Sequence, residues 1–195
     1  STITSSLAYL PMHIKRRALI DRLTQDFPGA IEFFGRPHRF IEYKEDAILP
    51  YRFHICIENW AAPDLWTEKI ADALLGYAVP VYAGCPNIED YFPGATIKID
   101  LDDYASARLT INAILTDGES IYKERFPDVV EARRHLIETF DMSSLIKRLL
   151  REPNTTGVCD IMLQPDAAFP MARLRDLIAR IRRKITTLVW RQRVA

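Results

Sequence analysis

Apolar residues in the first 150 positions recur with two different spacings. Short runs rich in β-branched and aromatic residues are typical of buried strands, and they alternate with stretches in which apolar residues recur every three or four positions, as in helices that pack on a core. Such an alternation predicts a parallel sheet covered by helices. The predicted strands are residues 1–5, 31–34, 51–57, 78–82 and 95–99. The predicted helices are 13–27, 103–115, 119–140 and 142–150, together with a helix that residues 64–69 lead into and that ends at Gly76.

The last two predicted long helices carry apolar stripes that we expect to face the core. The first stripe contains Leu109, Ile111 and Ile114, and the second contains residues from Val129 to Ile137. Residues 1–150 are therefore interpreted as one α/β domain.

The chain after position 150 has a different pattern. Residues 151–170 contain three prolines and no sustained apolar period, which predicts a linker. In residues 171–195, apolar positions recur every three or four residues with arginines between them, which predicts a basic amphipathic helix. Such a helix suits an anionic membrane surface, and the alternative is a helix that packs on another domain or subunit.

Charge and composition narrow the class of protein. The 195 residues have zero formal net charge, which disfavours a nucleic acid partner recruited by bulk positive charge. The two parts of the chain have opposite charge. Residues 1–170 contain 18 basic and 25 acidic residues, whereas residues 171–195 contain 8 basic residues and 1 acidic residue. The glycines match neither the dinucleotide nor the phosphate-loop spacing, and the three cysteines contain no Cys-x-x-Cys pair, which favours a reducing compartment.

Polar residues with a capacity for ligand binding follow the third predicted strand. The strand ends in Glu58 and Asn59, at the carboxyl edge where parallel sheets bind ligands. Thr67, Glu68 and Lys69 then open a helix, whose first turn favours anions. Lys69 is expected to pair with a phosphate and Glu68 to accept hydrogen bonds from sugar hydroxyls. The alternative is a capping threonine followed by two solvated residues.

Several other residues are candidates for ligand binding but also have a structural interpretation. Arg16 lies in the helix after the first strand, over the same sheet edge, although basic runs such as residues 15–17 are usually solvated. The histidines lack metal-ligand spacing and are interpreted as structural or surface residues, with His54 as a core or pocket-wall residue. Trp60, Trp66 and Tyr82 are interpreted as packing residues, with contact between one of them and a ligand ring as the alternative.

Four motifs between residues 51 and 103 resemble the signature region of the family 10 glycosyltransferases, the α-1,3/α-1,4-fucosyltransferases. They occur in the family's order: YRFHICIEN, DLWTEK, VPVYAG, and a segment that begins YFPG and ends DLDD. Residues 1–20 are similar to the region upstream of these motifs. The resemblance extends over about residues 1–150 of the sequence.

The resemblance implies that residues 1–150 are a Rossmann-like domain, the C-terminal, donor-binding half of a GT-B glycosyltransferase. It implies an inverting transfer of fucose from GDP-fucose to a glycan acceptor, such as lipopolysaccharide or another surface glycan. Carried over by motif, Arg16 and Lys69 bind the donor diphosphate, and Glu68 binds ribose or fucose hydroxyls. Asn59 and Glu58 line the pocket near the sugar.

Two departures from the family pattern leave alternatives open. The family usually has a tyrosine two residues before the Thr-Glu-Lys motif, where this sequence has Leu65. Trp66 and Tyr82 are therefore expected to supply the aromatic surface of the donor site. Because of the same departure, another nucleotide sugar remains an alternative donor. The acceptor domain that supplies the general base is absent from these residues, so a noncatalytic sugar-nucleotide-binding module is the other alternative.

The remaining expectations concern cofactors and location. No tightly bound cofactor is expected, and a divalent metal stays open without a predicted site. The expected location is the cytoplasm, with residues 171–195 holding the protein on the inner face of the membrane.

Overall fold

Five parallel strands and four α-helices make up the described part of the chain, which is residues 1–5, 10–36 and 38–151 of a computed structural model. The predicted linker and basic helix lie outside these residues, apart from Arg151. Short 3-10 helices cover Lys44–Ala47 and Ile88–Asp90, and a π-helical turn covers Leu136–Phe140. The strands are β1 Thr2–Ile3, β2 Phe33–Phe34, β3 Phe53–Ile57, β4 Val79–Ala83 and β5 Ile97–Lys98, and the helices are α1 Pro11–Asp26, α2 Glu68–Leu75, α3 Tyr104–His135 and α4 Met142–Arg151.

The sheet has the strand order β2-β1-β3-β4-β5, and every neighbouring pair is parallel. This arrangement confirms the predicted α/β fold. From β1 the chain moves to one side to form β2 and then returns past β1 to form β3, β4 and β5. The direction therefore reverses between β1 and β3, and in doubly wound sheets the carboxyl ends at such a reversal border the ligand site.

Two apolar clusters cover the sheet, and β3 contributes to both because successive strand residues point to opposite faces. Ile55 and Ile57 pack in a cluster with α1 and the first half of α3. Cys56 packs in the other cluster, with α2 and the second half of α3.

Helix α3 contributes residues to both clusters because it is interrupted at Asp117 and its two halves pack on different faces of the sheet. The φ of −131° and ψ of 34° at Asp117 are not helical. This interruption confirms the predicted break between residues 115 and 119. The two predicted apolar stripes, however, include residues that are not buried. Leu109 is 66% exposed because the buried face runs through Ala107, Ile111 and Ile114. Ile137 is exposed as well, since it lies in the π-helical turn, where the helical face shifts.

Candidate functional site

A cavity of about 270 Å³ lies at the carboxyl edge of the sheet, at the reversal between β1 and β3. Ser5 follows β1 and Asn59 follows β3, and both line it. Helix α1 contributes Arg16, and the start of α2 contributes Glu68 and Lys69. The structure thus brings four of the seven predicted donor-site residues to one cavity.

A larger cavity of about 650 Å³ lies at the opposite edge. Tyr51, Arg52 and Phe53, at the amino end of β3, line it together with Ser1. Size alone would favour this cavity as a ligand site, but the topology of parallel sheets favours the carboxyl edge.

Arg16 is a buried cation that links the ends of β1 and β3. Its guanidinium donates hydrogen bonds to Asn59 Oδ1 at 3.0 Å and to Ser5 Oγ at 3.2 Å. Burial lowers the pKa of Arg16, but a guanidinium remains protonated in proteins. Because both acceptors are neutral, they leave the positive charge of Arg16 available to an anion.

The start of α2 is held by Glu58, the first residue after β3. Its carboxylate is 1% exposed and accepts hydrogen bonds from Thr67 N–H at 3.0 Å and from Thr67 Oγ1 at 2.7 Å. Thr67 caps the helix, and its Oγ1 accepts from the backbone N–H of Lys69 at 3.4 Å. Glu58 is therefore a positioning residue beneath α2, whereas the sequence predicted that it lines the pocket.

Lys69 connects this buried network to the cavity. Its Nζ lies 3.5 Å from Glu58 Oε2 and donates hydrogen bonds to Thr67 Oγ1 at 3.2 Å and to Glu68 Oε1 at 3.1 Å. Burial acts to raise the pKa of Glu68, but the hydrogen bond and charge of Lys69 outweigh it and lower that pKa. Glu68 is therefore ionised near neutral pH and offers carboxylate oxygens to hydroxyl donors.

The cavity combines cations from two helices with an exposed carboxylate and an exposed amide. Arg16 and Lys69 suit an anion that carries several oxygens, such as a phosphate or diphosphate. Glu68 and Asn59 suit hydroxyl groups attached to that anion. The arrangement can therefore bind a phosphorylated or nucleotide-linked sugar.

Trp66 and Tyr82 are not brought to this cavity. The Trp66 ring packs edge-to-face against Phe92 and Phe140, at centroid distances of 5.1 and 5.0 Å. Tyr82 is 1% exposed, and its hydroxyl accepts a hydrogen bond from the Cys85 N–H at 3.1 Å. Both positions are those of packing residues, the first of the two interpretations drawn from the sequence.

Two buried histidines lie near the site. His54 lines the cavity as predicted, its Nδ1 is hydrogen-bonded to Ser1 Oγ at 2.8 Å, and burial lowers its pKa to about 3. His13 is 5% exposed, and neither of its ring nitrogens has a hydrogen-bond partner in the described part of the chain. The sequence predicts His13 only as a structural or surface residue, although its position three residues before Arg16 places both side chains on one face of α1.

Within residues 1–5, 10–36 and 38–151, no three His, Cys, Asp or Glu side chains are grouped to hold a metal ion. Within the same ranges, no helix has the length and apolar character needed to cross a bilayer.

A doubly wound sheet with an anion-binding cavity at its reversal point is the arrangement of nucleotide-binding α/β domains. Residues 3–127 match the model of the glycosyltransferase family 10 (fucosyltransferase) C-terminal region. This match covers more than half of the chain, and the chain belongs to glycosyltransferase family 10.

Sequence similarity to individual fucosyltransferases agrees with membership of this family. The chain is 34% identical over 74 residues to α-(1,3)-fucosyltransferase B of Drosophila melanogaster, which is 37% of this chain and 17% of that protein. It is 30% identical over 60 residues to the α-(1,3)-fucosyltransferase FucT of Helicobacter pylori, which is 30% of this chain and 13% of that protein. The chain thus matches less than a fifth of the length of either relative.

Solved structures show the same fold. A crystal structure of an α1,3-fucosyltransferase with GDP-fucose superposes with a TM-score of 0.53 at 23% identity, over 64% of this chain and 37% of that one. A crystal structure with GDP superposes with a TM-score of 0.54 at 24% identity, over 64% of this chain and 36% of that one.

Proposed function

We propose that this chain is the donor-binding domain of an inverting fucosyltransferase, which transfers fucose from GDP-fucose to a surface glycan. The observation that carries the proposal is the meeting of Arg16 and Lys69 at one cavity, at the reversal point of the sheet, in a family 10 chain. The GDP-fucose and GDP named for the structural neighbours support the choice of donor.

The chemistry of the transfer explains why two cations are needed. As the bond between fucose and the diphosphate breaks, negative charge develops on the leaving GDP. The Arg16 guanidinium binds phosphate oxygens through its planar set of N–H groups, and the Lys69 ammonium adds a compact charge. Glu68 accepts hydrogen bonds from ribose or fucose hydroxyls, and Asn59 contacts the sugar next to Arg16. We place the general base that activates the acceptor in a domain outside these residues.

Calorimetric titration with GDP and GDP-fucose tests donor binding. We expect the wild-type chain to bind both ligands and Lys69→Ala to bind them at least about tenfold more weakly, because a charge-assisted contact is lost. Lys15→Ala is the matched control, since Lys15 pairs with Asp102 at 2.5 Å on the surface and does not line the cavity. Absence of GDP binding, or equal affinity of the wild type and Lys69→Ala, would overturn the proposal.

Transfer assays decide between the enzyme and its alternatives. A panel of nucleotide sugars, assayed with the protein that includes its acceptor domain, distinguishes GDP-fucose from the other donors that Leu65 leaves open. Binding of GDP-fucose without transfer to any glycan would favour a noncatalytic sugar-nucleotide-binding module.

We further propose that residues 171–195 hold the protein on the anionic inner face of the membrane. The eight basic residues in this segment support the proposal. Removal of the segment is expected to reduce sedimentation with anionic vesicles at low salt, with a smaller difference at high salt. Equal sedimentation of both forms would contradict the proposal.

A further inference from the structure

Helix α1 buries three nitrogen atoms without hydrogen-bond partners at the edge of the donor cavity. In the described part of the chain, these atoms are Nδ1 and Nε2 of His13 and Nε of Arg16. His13 is 5% exposed and Arg16 is 6% exposed. Residues three positions apart are neighbours on a helix surface, so the unsatisfied atoms lie within one turn of each other.

Such a group of atoms needs an explanation, because buried polar atoms in folded proteins are nearly always hydrogen-bonded. The other buried polar groups of the site follow that rule: Glu58 is bonded to Thr67, and His54 to Ser1. The exception is thus confined to one turn of α1, which faces the cavity through Arg16. A bound ligand that supplies hydrogen-bond acceptors would satisfy the N–H donors among these atoms.

The surroundings define the chemistry of that ligand. Burial, followed by the positive charge of Arg16, lowers the pKa of His13 against the opposing effect of the nearby Asn59 side chain, so the ring is neutral at pH 7 and carries one N–H donor. Arg16 Nε is also a donor. The first turn of α1 contains no acidic residue, and its N-cap residue Leu10 offers no side-chain acceptor. Two donors near an uncapped helix N-terminus favour an anionic oxygen.

We propose that His13 is a further donor-binding residue, whose ring N–H donates a hydrogen bond to a diphosphate oxygen of the nucleotide sugar beside Nε of Arg16. This inference rests on the proposed function, since it assigns a new contact to the same cavity. His13 thereby adds a neutral donor to the two cations, and its ring N–H finds an acceptor only when the diphosphate is bound.

The test compares His13→Phe with the wild-type 195-residue chain in calorimetric titrations with GDP and with inorganic pyrophosphate. Phenylalanine keeps a ring of similar shape but removes both nitrogens. We expect affinity for both ligands to fall about tenfold, as for the loss of a hydrogen bond to a charged group. The melting temperature without nucleotide is expected to stay equal or rise, because unsatisfied buried nitrogens are removed. His38→Phe, at an exposed histidine, is the control and should bind GDP as the wild type does.

His13→Asn and His13→Gln separate a hydrogen bond from a packing effect. The asparagine amide replaces Nδ1 and the glutamine amide replaces Nε2, so one of the two variants should recover part of the affinity lost in His13→Phe. These variants also test the inference if His13→Phe fails to fold. Affinity that is kept in His13→Phe but lost in both amide variants would show that ring shape, and not a hydrogen bond, matters and would overturn it.

Three other outcomes separate this inference from the proposed function. If Lys69→Ala weakens GDP binding and His13→Phe does not, the assignment of His13 is wrong and the proposed function stands. If His13→Phe weakens GDP-fucose binding but leaves GDP and pyrophosphate unaffected, His13 contacts the sugar and the diphosphate assignment is wrong. If the wild-type chain binds none of these ligands, the proposed function fails.

Discussion

Two helices border the candidate donor site, and they hold their polar groups in opposite ways. At the start of α2, Glu58, Thr67 and Lys69 satisfy one another through hydrogen bonds of 2.7 to 3.4 Å and an ion pair of 3.5 Å. On α1, His13 and Arg16 leave three buried nitrogens unpaired within the described residues. The α2 side is thus assembled by the protein itself, whereas the α1 side has unpaired groups that, in the proposed assignment of His13, the diphosphate completes.

This difference predicts how substitutions on the two sides divide between stability and binding. A change in the network beneath α2 removes contacts that exist in the free protein, so the free energy of unfolding should fall. A change at His13 removes contacts that form only with the ligand, so binding should fall while the stability of the free protein is kept.

The largest expected effect is that of Glu58→Ala. The substitution leaves the N–H and hydroxyl of Thr67 without an acceptor and removes the buried partner of Lys69. We expect the free energy of unfolding to fall by about 3 kcal/mol, measured by chemical denaturation. Glu68→Ala, which removes an exposed carboxylate from the same helix turn, should cost less than about 1 kcal/mol. Equal losses for both variants would show that the buried network does not set stability here.

Gly84→Ala tests how closely Glu58 is packed. A Cβ at Gly84 would lie 2.5 Å from Glu58 Cγ and 2.7 Å from the Tyr82 hydroxyl, both closer than atoms can approach. We expect a loss of about 2 kcal/mol, within the range for overpacking a core. Gly118→Ala is the control, since its nearest contact would be the Phe53 ring at 3.3 Å. A Gly84→Ala protein as stable as Gly118→Ala would contradict the described position of Glu58.

A smaller effect is the pH dependence of stability that comes from His54, which, unlike His13, is a buried histidine with a hydrogen-bond partner among the described residues. Burial holds the pKa of His54 at about 3, well below 6.5, so the unfolded chain binds a proton that the folded chain excludes. Stability should therefore decrease as the pH falls below about 6.5, by at most about 1.4 kcal/mol per pH unit.

His54→Asn isolates this contribution, because the amide keeps a hydrogen-bonding atom near Ser1 Oγ but does not titrate. Denaturation is compared between pH 4.5 and 6, where the variant should show the shallower slope. Identical slopes would mean that His54 is protonated in the folded protein.

Much of the fold was predictable from local patterns, because each strand is a short apolar run and each helix carries its own period. The break before Gly118 was also predictable, since Asp and Gly disfavour a continuous helix. Exposure of Leu109 was not, because which face of a helix is buried depends on the sheet it packs against. The order of the strands was not predictable either, since it arises from contacts between distant segments.

The site shows the same division. The motif resemblance identified Arg16 and Lys69, but their meeting at one cavity depends on β1 and β3 being neighbours. The orientation of Glu58 was missed because the sequence shows only that it follows a strand, whereas its partner Thr67 comes from the next helix. Leu65 in place of the family's usual tyrosine favoured a ligand contact for Trp66, and its packing against Phe92 and Phe140 could not be foreseen because those residues are remote in sequence.

The central claim is that the cavity between β1 and β3 holds the diphosphate of a nucleotide sugar, and a crystal structure of the chain with GDP tests it most directly. The account predicts diphosphate oxygens within hydrogen-bond distance of both the Arg16 guanidinium and Lys69 Nζ. GDP bound in the larger cavity beside Phe53, or with its diphosphate away from both cations, would contradict it.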